Sequence, residues 1–452
     1  MPRVAIIGSG FRGIFDALIL SKNRNNEITI YEKSNFFGGI SRSQNIFGFN
    51  VDMGVHMFDS VQKELYEIVF DVMEGNMHSI DFISQSAYKN NITDGYSLPD
   101  LSSESKFIRE KITNEVISLG LDPKLSKEKI LNSDTLSELL LNRYGNTAGG
   151  IFSEIFQKVY SISSDECDCN ALNKTSLGRL KHLDDEDMKV LKRNKYLDTI
   201  LAARRKSIGI VDDYVSGYPS DGKGMGGFCD RVLNLLINRN VEIKLGKDIK
   251  TEVNNEKIRV LEQENKISQE FDHLIWAADR LNPLLNDLDI SINLDKYFYQ
   301  TPMIFAVLVT DQKDIKDFTY MQNFSQNGIT YRTSAAGIYS KQISPDKRSF
   351  LTAECPCSLD QFTCLDESIF IDKIWNEVKN LKIVSKNAEL HNYKLIKVEK
   401  SFQVPLKGFS EKYEVVVKQL EHFKKLISVH SLKLFFRREL YQESKELTRV
   451  FN

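Results

Sequence analysis

Apolar and polar positions along the chain fall into three patterns. Near the start, residues 4–7 form a short apolar run rich in β-branched side chains, which predicts a buried parallel strand. A glycine-rich turn follows, and residues 14–20 then read as an apolar helix. A second run at 27–31 predicts another strand, ending at Glu32. Between residues 60 and 210 the spacing becomes helical. Residues 135–144 are amphipathic, with Asp134 as the expected N-cap, and the charged stretch 181–206 predicts an exposed helical face. From Thr301 the pattern turns strand-like at 303–309, 329–333 and 349–354, which predicts an antiparallel sheet. Residues 432–436 predict one last strand.

The turn between the first strand and helix carries the clearest chemistry. Its sequence is Gly8-Ser9-Gly10-Phe11-Arg12-Gly13, in the strand–turn–helix order of a dinucleotide-binding fingerprint. Gly8 makes the tight turn, Gly10 admits a diphosphate to the backbone, and Gly13 lets helix and strand pack closely. Free N–H groups and the positive dipole end at the helix start then face the phosphates, beside Phe11 and Arg12. Glu32 stands about twenty residues further on, where an acid accepts hydrogen bonds from ribose hydroxyls and disfavours a 2′-phosphate.

Composition narrows the class without naming a substrate. A chain of 452 residues exceeds one ordinary core, so two or three domains are expected. The hydrophobic and charged fractions, 41% and 27%, are those of a globular protein. The net charge of -2 gives no reason to expect nucleic acid. The first strand follows the N-terminus at once, and no apolar run approaches the roughly 18 residues of a membrane span, so a cytoplasmic location is expected. The six cysteines are expected to be reduced. The pairs Cys167/Cys169 and Cys355/Cys357 have C-x-C spacing rather than the spacing of a zinc set, so no metal is predicted.

Residues 32–43, Glu-Lys-Ser-Asn-Phe-Phe-Gly-Gly-Ile-Ser-Arg-Ser, resemble the flavin amine-oxidase superfamily, in which the acid is followed by a glycine pair. The segment Asp52-Met53-Gly54-Val55-His56 is similar to the one beside the flavin in protoporphyrinogen-oxidase-like proteins and UDP-galactopyranose mutases. Residues 218–228, with Gly226, resemble the family's glycine-rich helix entry, placing a helix at 229–238. The resemblance implies FAD as cofactor. Gly38 and Gly39 would pass under it, with Lys33, Ser41 and Arg42 nearby. Gly54 and His56 would lie beside the flavin, Ile249 would give a backbone contact to adenine, and Ala277 would end the returning strand near the cofactor.

Arg143-Tyr144-Gly145 with residues 151–160 resembles the helical substrate region of the mutase-like branch. Lys158 within it reads as a solvated lysine, with an anion contact as the alternative. Arg332 would meet a substrate phosphate, with a surface ion pair as the alternative. The family opens its last helix with a glycine motif, whereas the last glycine here is Gly408. The implied fold is α/β: a Rossmann-like FAD-binding domain from discontinuous segments (1–60, 211–290, 401–452) with an inserted mixed α+β substrate domain, mainly helical over 61–210 and sheet-forming over 291–400. The implied function is hydride transfer from a small-molecule substrate to flavin, with catalytic candidates His56 and Arg332. A sugar-nucleotide mutase using reduced FAD and a catalytically inactive relative are the alternatives.

Overall fold

Arg3–Ile7 (β1) is apolar from its second residue because it lies inside a parallel sheet. The computed structural model describes residues 1–80, 83–89, 91–203, 214–254, 256–264 and 266–451. Phe11–Leu20 (α1) follows β1 and leads to Glu27–Tyr31 (β2). Gly224–Asn238 (α2) precedes Glu242–Lys244 (β3). His273–Trp276 (β4), Ile427–Val429 (β5) and Arg437–Leu447 (α3) complete the framework. The sheet order is β3-β2-β1-β4-β5, and every neighbouring pair is parallel. This is the α/β, Rossmann-like architecture expected.

The chain divides into two compact units. The first, Met1–Ile80, Ile210–Lys296 and Glu411–Asn452, holds the parallel sheet. The second, Asp81–Gly209 and Tyr297–Ser410, holds a seven-stranded sheet with strands in the order Asn392–Pro405, Phe298–Asp311, Arg348–Pro356, Arg332–Ser334, Tyr320–Asn323, Ser84–Tyr88, Asn91–Asp94. All neighbours are antiparallel except Tyr320–Asn323 with Ser84–Tyr88. The helices of this unit bury Ile112, Leu140, Tyr144, Phe152 and Phe156 in a common core. Among the described residues no helix is long and apolar enough to cross a membrane.

Several local expectations are corrected. Helix Leu136–Tyr144 is capped by Thr135, whose side chain accepts from the Glu138 N–H, and not by Asp134. α1 begins at Phe11 and α2 at Gly224, each earlier than its apolar run suggests. The stretch from 181 is not one exposed helical face. It contains the short helices Asp185–Leu191 and Lys195–Ile200, and it buries Lys181, His182, Tyr196 and Leu197. Its last residues, 204–206, lie outside the described residues. Residues 432–436 are not a strand. β5 takes that place in the sheet, and Phe435 and Phe436 are exposed.

Lys158 is not solvated. Its ammonium donates to the carbonyls of Asn323 (2.7 Å) and Thr330 (3.1 Å), and burial pulls its pKa down to about 8. Lys158→Met is expected to cost about 2 kcal/mol of stability, because two carbonyls lose their donor. Urea denaturation at pH 7 measures this, and an unchanged midpoint would show the carbonyls find other partners.

Candidate dinucleotide site

The glycine turn is built as the fingerprint requires. Gly8 follows β1, and its N–H donates to Tyr31 O at 2.8 Å. Gly10 caps α1 without a side-chain hydrogen bond, and a Cβ on Gly10 would meet nothing within 4 Å, so the helix start faces open space. At Gly13 a Cβ would lie 2.0 Å from the Gly8 carbonyl oxygen, so helix and strand can approach this closely only with glycine. The Ala277 N–H donates to Ile7 O at 2.9 Å, which places the end of β4 beside the turn.

Glu32 organises the neighbouring loops. One carboxylate oxygen accepts from Ser9 N–H and Oγ–H, the other from Ser34 N–H and Oγ–H, each at 2.8 Å. Burial alone would raise its pKa, but the Ser34 and Ser9 donors hold the carboxyl below its ordinary value. The Ser9 hydroxyl in turn accepts from the Gly38 N–H at 3.3 Å. Gly38 has φ +111°, and a Cβ there would lie 2.5 Å from Cys229 Sγ. Gly39 lies against Gly10, where its Cβ would be 3.3 Å from the Gly10 Cα. Thus the acid and both glycine turns form one connected surface.

The remaining predicted residues are placed as follows. Ser41 is buried, and its hydroxyl has no hydrogen-bond partner among the described residues. Arg42 pairs with Asp230, and Lys33 pairs with Asp248 at 2.9 Å on the surface. Phe11 packs against Phe15, Phe58 and Phe228. Arg12 pairs with Asp279 at 2.6 Å and donates to the carbonyls of Ser431 and Leu434. Gly54 donates its N–H to Asp52 O at 2.9 Å, and His56 Nε2 lies 3.2 Å from Met53 O. A carbonyl can only accept, so in that contact Nε2 carries the proton. Ile249 opens strand Ile249–Asn254. In the second unit, Arg332 pairs bidentately with Glu354, using Nε and Nη2 at 2.8 Å each.

Three sets of residues at this site were not singled out from the sequence. Asp52 is buried and accepts from Ser43 Oγ–H and Tyr218 O–H, both at 2.5 Å, and from the Met225 N–H at 3.1 Å. The Gly226 N–H donates to Ser43 Oγ at 2.8 Å, so Asp52 and Ser43 together hold the start of α2. Burial pushes the Asp52 carboxyl up to about 6 against the pull of these donors. Asp52→Asn turns an amide group toward donors that need an acceptor and is expected to cost about 2 kcal/mol, read as a lowered Tm. An unchanged Tm would mean the amide finds an acceptor. The second set is His430 with Asp16 and Glu443, and the third is Arg437. Asp52 lay in the motif at residues 52–56 without a role of its own, and the signals for the other two sets were an aspartate within an apolar helix and the absence of glycine after Gly408.

The profile of the NAD(P)-binding Rossmann-like domain matches residues 6–73, the segment that carries this cradle. A curated relative, an uncharacterized protein in the nifH2 3′ region of Methanothermococcus thermolithotrophicus, is 39% identical over 54 residues. The match covers 12% of this chain and 51% of the relative, so the chain spans about half the length of the curated relative it matches. Among solved structures, reduced UDP-galactopyranose mutase is similar with a TM-score of 0.74 at 15% identity, covering 100% of this chain and 95% of that one. Putrescine oxidase bound to putrescine gives 0.60 at 13%, covering 100% and 98%. A fatty acid isomerase from P. acnes that produces CLA gives 0.58 at 13%, with the same coverage. At these identities the likeness is one of fold. It is the fold that the motif resemblance to the flavin amine-oxidase superfamily implies.

Proposed function

We propose that the chain is an FAD-dependent enzyme of the amine-oxidase type, oxidising a small-molecule substrate by hydride transfer to flavin. The observation that carries this reading is the continuous surface of Gly10, Glu32, Ser9 and Gly38 at the open start of α1. FAD supplies a two-electron acceptor in its flavin ring. The α1 N–H groups would take its diphosphate, and Glu32 its ribose hydroxyls. The unpartnered Ser41 hydroxyl and the glycine pair fit a group lying between α1 and the loop after β2. Ile249 would contact adenine, while Gly54 and His56 would border the flavin. Among the described residues no group of three or more His, Cys, Asp or Glu could hold a metal ion, and this reading needs none.

A second reading is a sugar-nucleotide mutase, favoured by the TM-score of 0.74 to reduced UDP-galactopyranose mutase. Arg332 keeps Nη1 beyond its pairing with Glu354, and that nitrogen could donate to a substrate phosphate. Fold likeness alone does not choose between the two chemistries. A visible spectrum of purified protein, with the cofactor released by denaturation, tests the shared premise. Flavin bands with released FAD support it, and a colourless protein that takes up no FAD refutes both readings. Anaerobic turnover of UDP-galactopyranose by chemically reduced protein, without an electron acceptor, would then decide for the mutase. Flavin reduction by an amine or other donor would decide for the oxidoreductase.

A further inference from the structure

Arg437 is the first residue of α3, in a tail that has no glycine after Gly408. Its side chain turns back toward the cradle. The guanidinium carbon lies 4.3 Å from the ring centre of Phe11 and 5.5 Å from that of Phe58. Nη1 donates to the Met57 carbonyl, and Nη2 lies 3.4 Å from His56 Nδ1. Nε is sealed from water and has no hydrogen-bond partner among the described residues.

What Arg437 lacks is a counter-charge. Arg12 and Arg42, its neighbours at the site, pair with Asp279 and Asp230. No carboxylate among the described residues comes within 4.0 Å of the Arg437 guanidinium. Asp52 and Asp59 act on it only from further off, and burial draws its pKa down to about 10. Arg437 is half-buried, and a cation held partly out of water without a counter-charge is costly. The surroundings add to the cost, because the starts of α1 and α3 are both positive dipole ends. Two helix starts and a guanidinium therefore converge, and although Glu439 caps the start of α3, no carboxylate among the described residues pairs with the guanidinium itself.

We infer that the Arg437 guanidinium binds the diphosphate of the dinucleotide cradled by α1. The inference rests on the FAD reading above. It makes Arg437 a positioning residue for the cofactor, set by a charge that the rest of the chain leaves open.

The test uses the full chain with FAD followed by fluorescence and ADP by calorimetry, comparing wild type, Arg437→Met and Arg437→Lys. Arg437→Met is expected to weaken both ligands by about 10- to 100-fold. Arg437→Lys, which keeps the charge, should recover most of that loss. Without ligand, Arg437→Met should melt at the wild-type temperature or above it, because it removes an unbalanced, half-buried charge. A purely structural arginine would instead lower the ligand-free Tm and leave the affinities unchanged, which overturns the inference. Weaker FAD with unchanged ADP would move the contact to the flavin ring and also overturn it. Wild-type protein that binds neither ligand defeats the FAD reading itself, and this inference with it. If Arg437→Met does not fold, Arg437→Lys decides: near-wild-type ADP affinity that falls steeply with salt supports the inference, and salt-insensitive binding overturns it.

Discussion

Raising the pH from about 6.5 to above 9 is expected to remove up to about 3 kcal/mol of stability through one side chain, His430. This histidine follows β5 and is 2% exposed. Nε2 donates to Asp16 at 2.8 Å and Nδ1 to Glu443 at 2.7 Å. With a carboxylate at each nitrogen the ring is held as imidazolium. Burial alone would lower its pKa, but Asp16 and Glu443 outweigh that and raise it from 6.5 to about 9. A base whose folded pKa is raised gives its full stabilisation below the unfolded value and loses it as the pH rises through the folded one. Denaturation at pH 6, 7.5 and 9.5 should show the wild type weakening across that range. His430→Gln should be less stable at pH 6 and nearly flat. Parallel curves for the two proteins would remove His430 as the cause. Asp16→Ala should cost about 3 kcal/mol at neutral pH, because it strips one partner from a buried charge.

The same cluster shows which features a sequence can reveal. The glycines at 8, 10, 13, 38 and 39 were legible because each answers a local need of the backbone, and Glu32 because its distance from the turn is set by one helix and one strand. Asp16 lies buried in an apolar helix, and its partner stands 414 residues away, so no periodicity links the two. The last strand was misplaced for a related reason. Residues 432–436 are more apolar than β5, but Leu432 spends its N–H on the Tyr413 hydroxyl and the two phenylalanines face outward. The shorter β5 pairs with β4 because the Leu274 N–H reaches Leu426 O, a tertiary choice that apolar content does not report. Lys158 and Arg332 were read through the resemblance to the mutase-like branch and their residue type, whereas their environments come from distant carbonyls and from Glu354. Arg437 gave no signal beyond the absence of glycine after Gly408. Its consequence, an unbalanced charge at the cradle, required the fold.

Glu32→Ala is expected to reduce affinity for FAD by about 100-fold or more, the largest loss from any single truncation at the cradle. The number combines two losses. One is the charge-assisted contact to the ribose hydroxyls, worth roughly 1.5–3 kcal/mol. The other is the support that Glu32 gives the site: four donors from Ser9 and Ser34 lose their acceptor, and Ser9 is fully buried. Because Ser9 Oγ also receives the Gly38 N–H, the second glycine turn loosens with it. Flavin content after purification and titration with FAD measure the total. Ser34→Ala separates the parts, since it removes one donor but keeps the carboxylate, and it should cost less than about tenfold. Glu32 is held below its ordinary pKa, so its contribution should be constant from about pH 5 upward and fade only in stronger acid. A Glu32→Ala protein that retains wild-type flavin content would show that the ribose is held elsewhere, and the cradle would then need a different acceptor from the one at the end of β2.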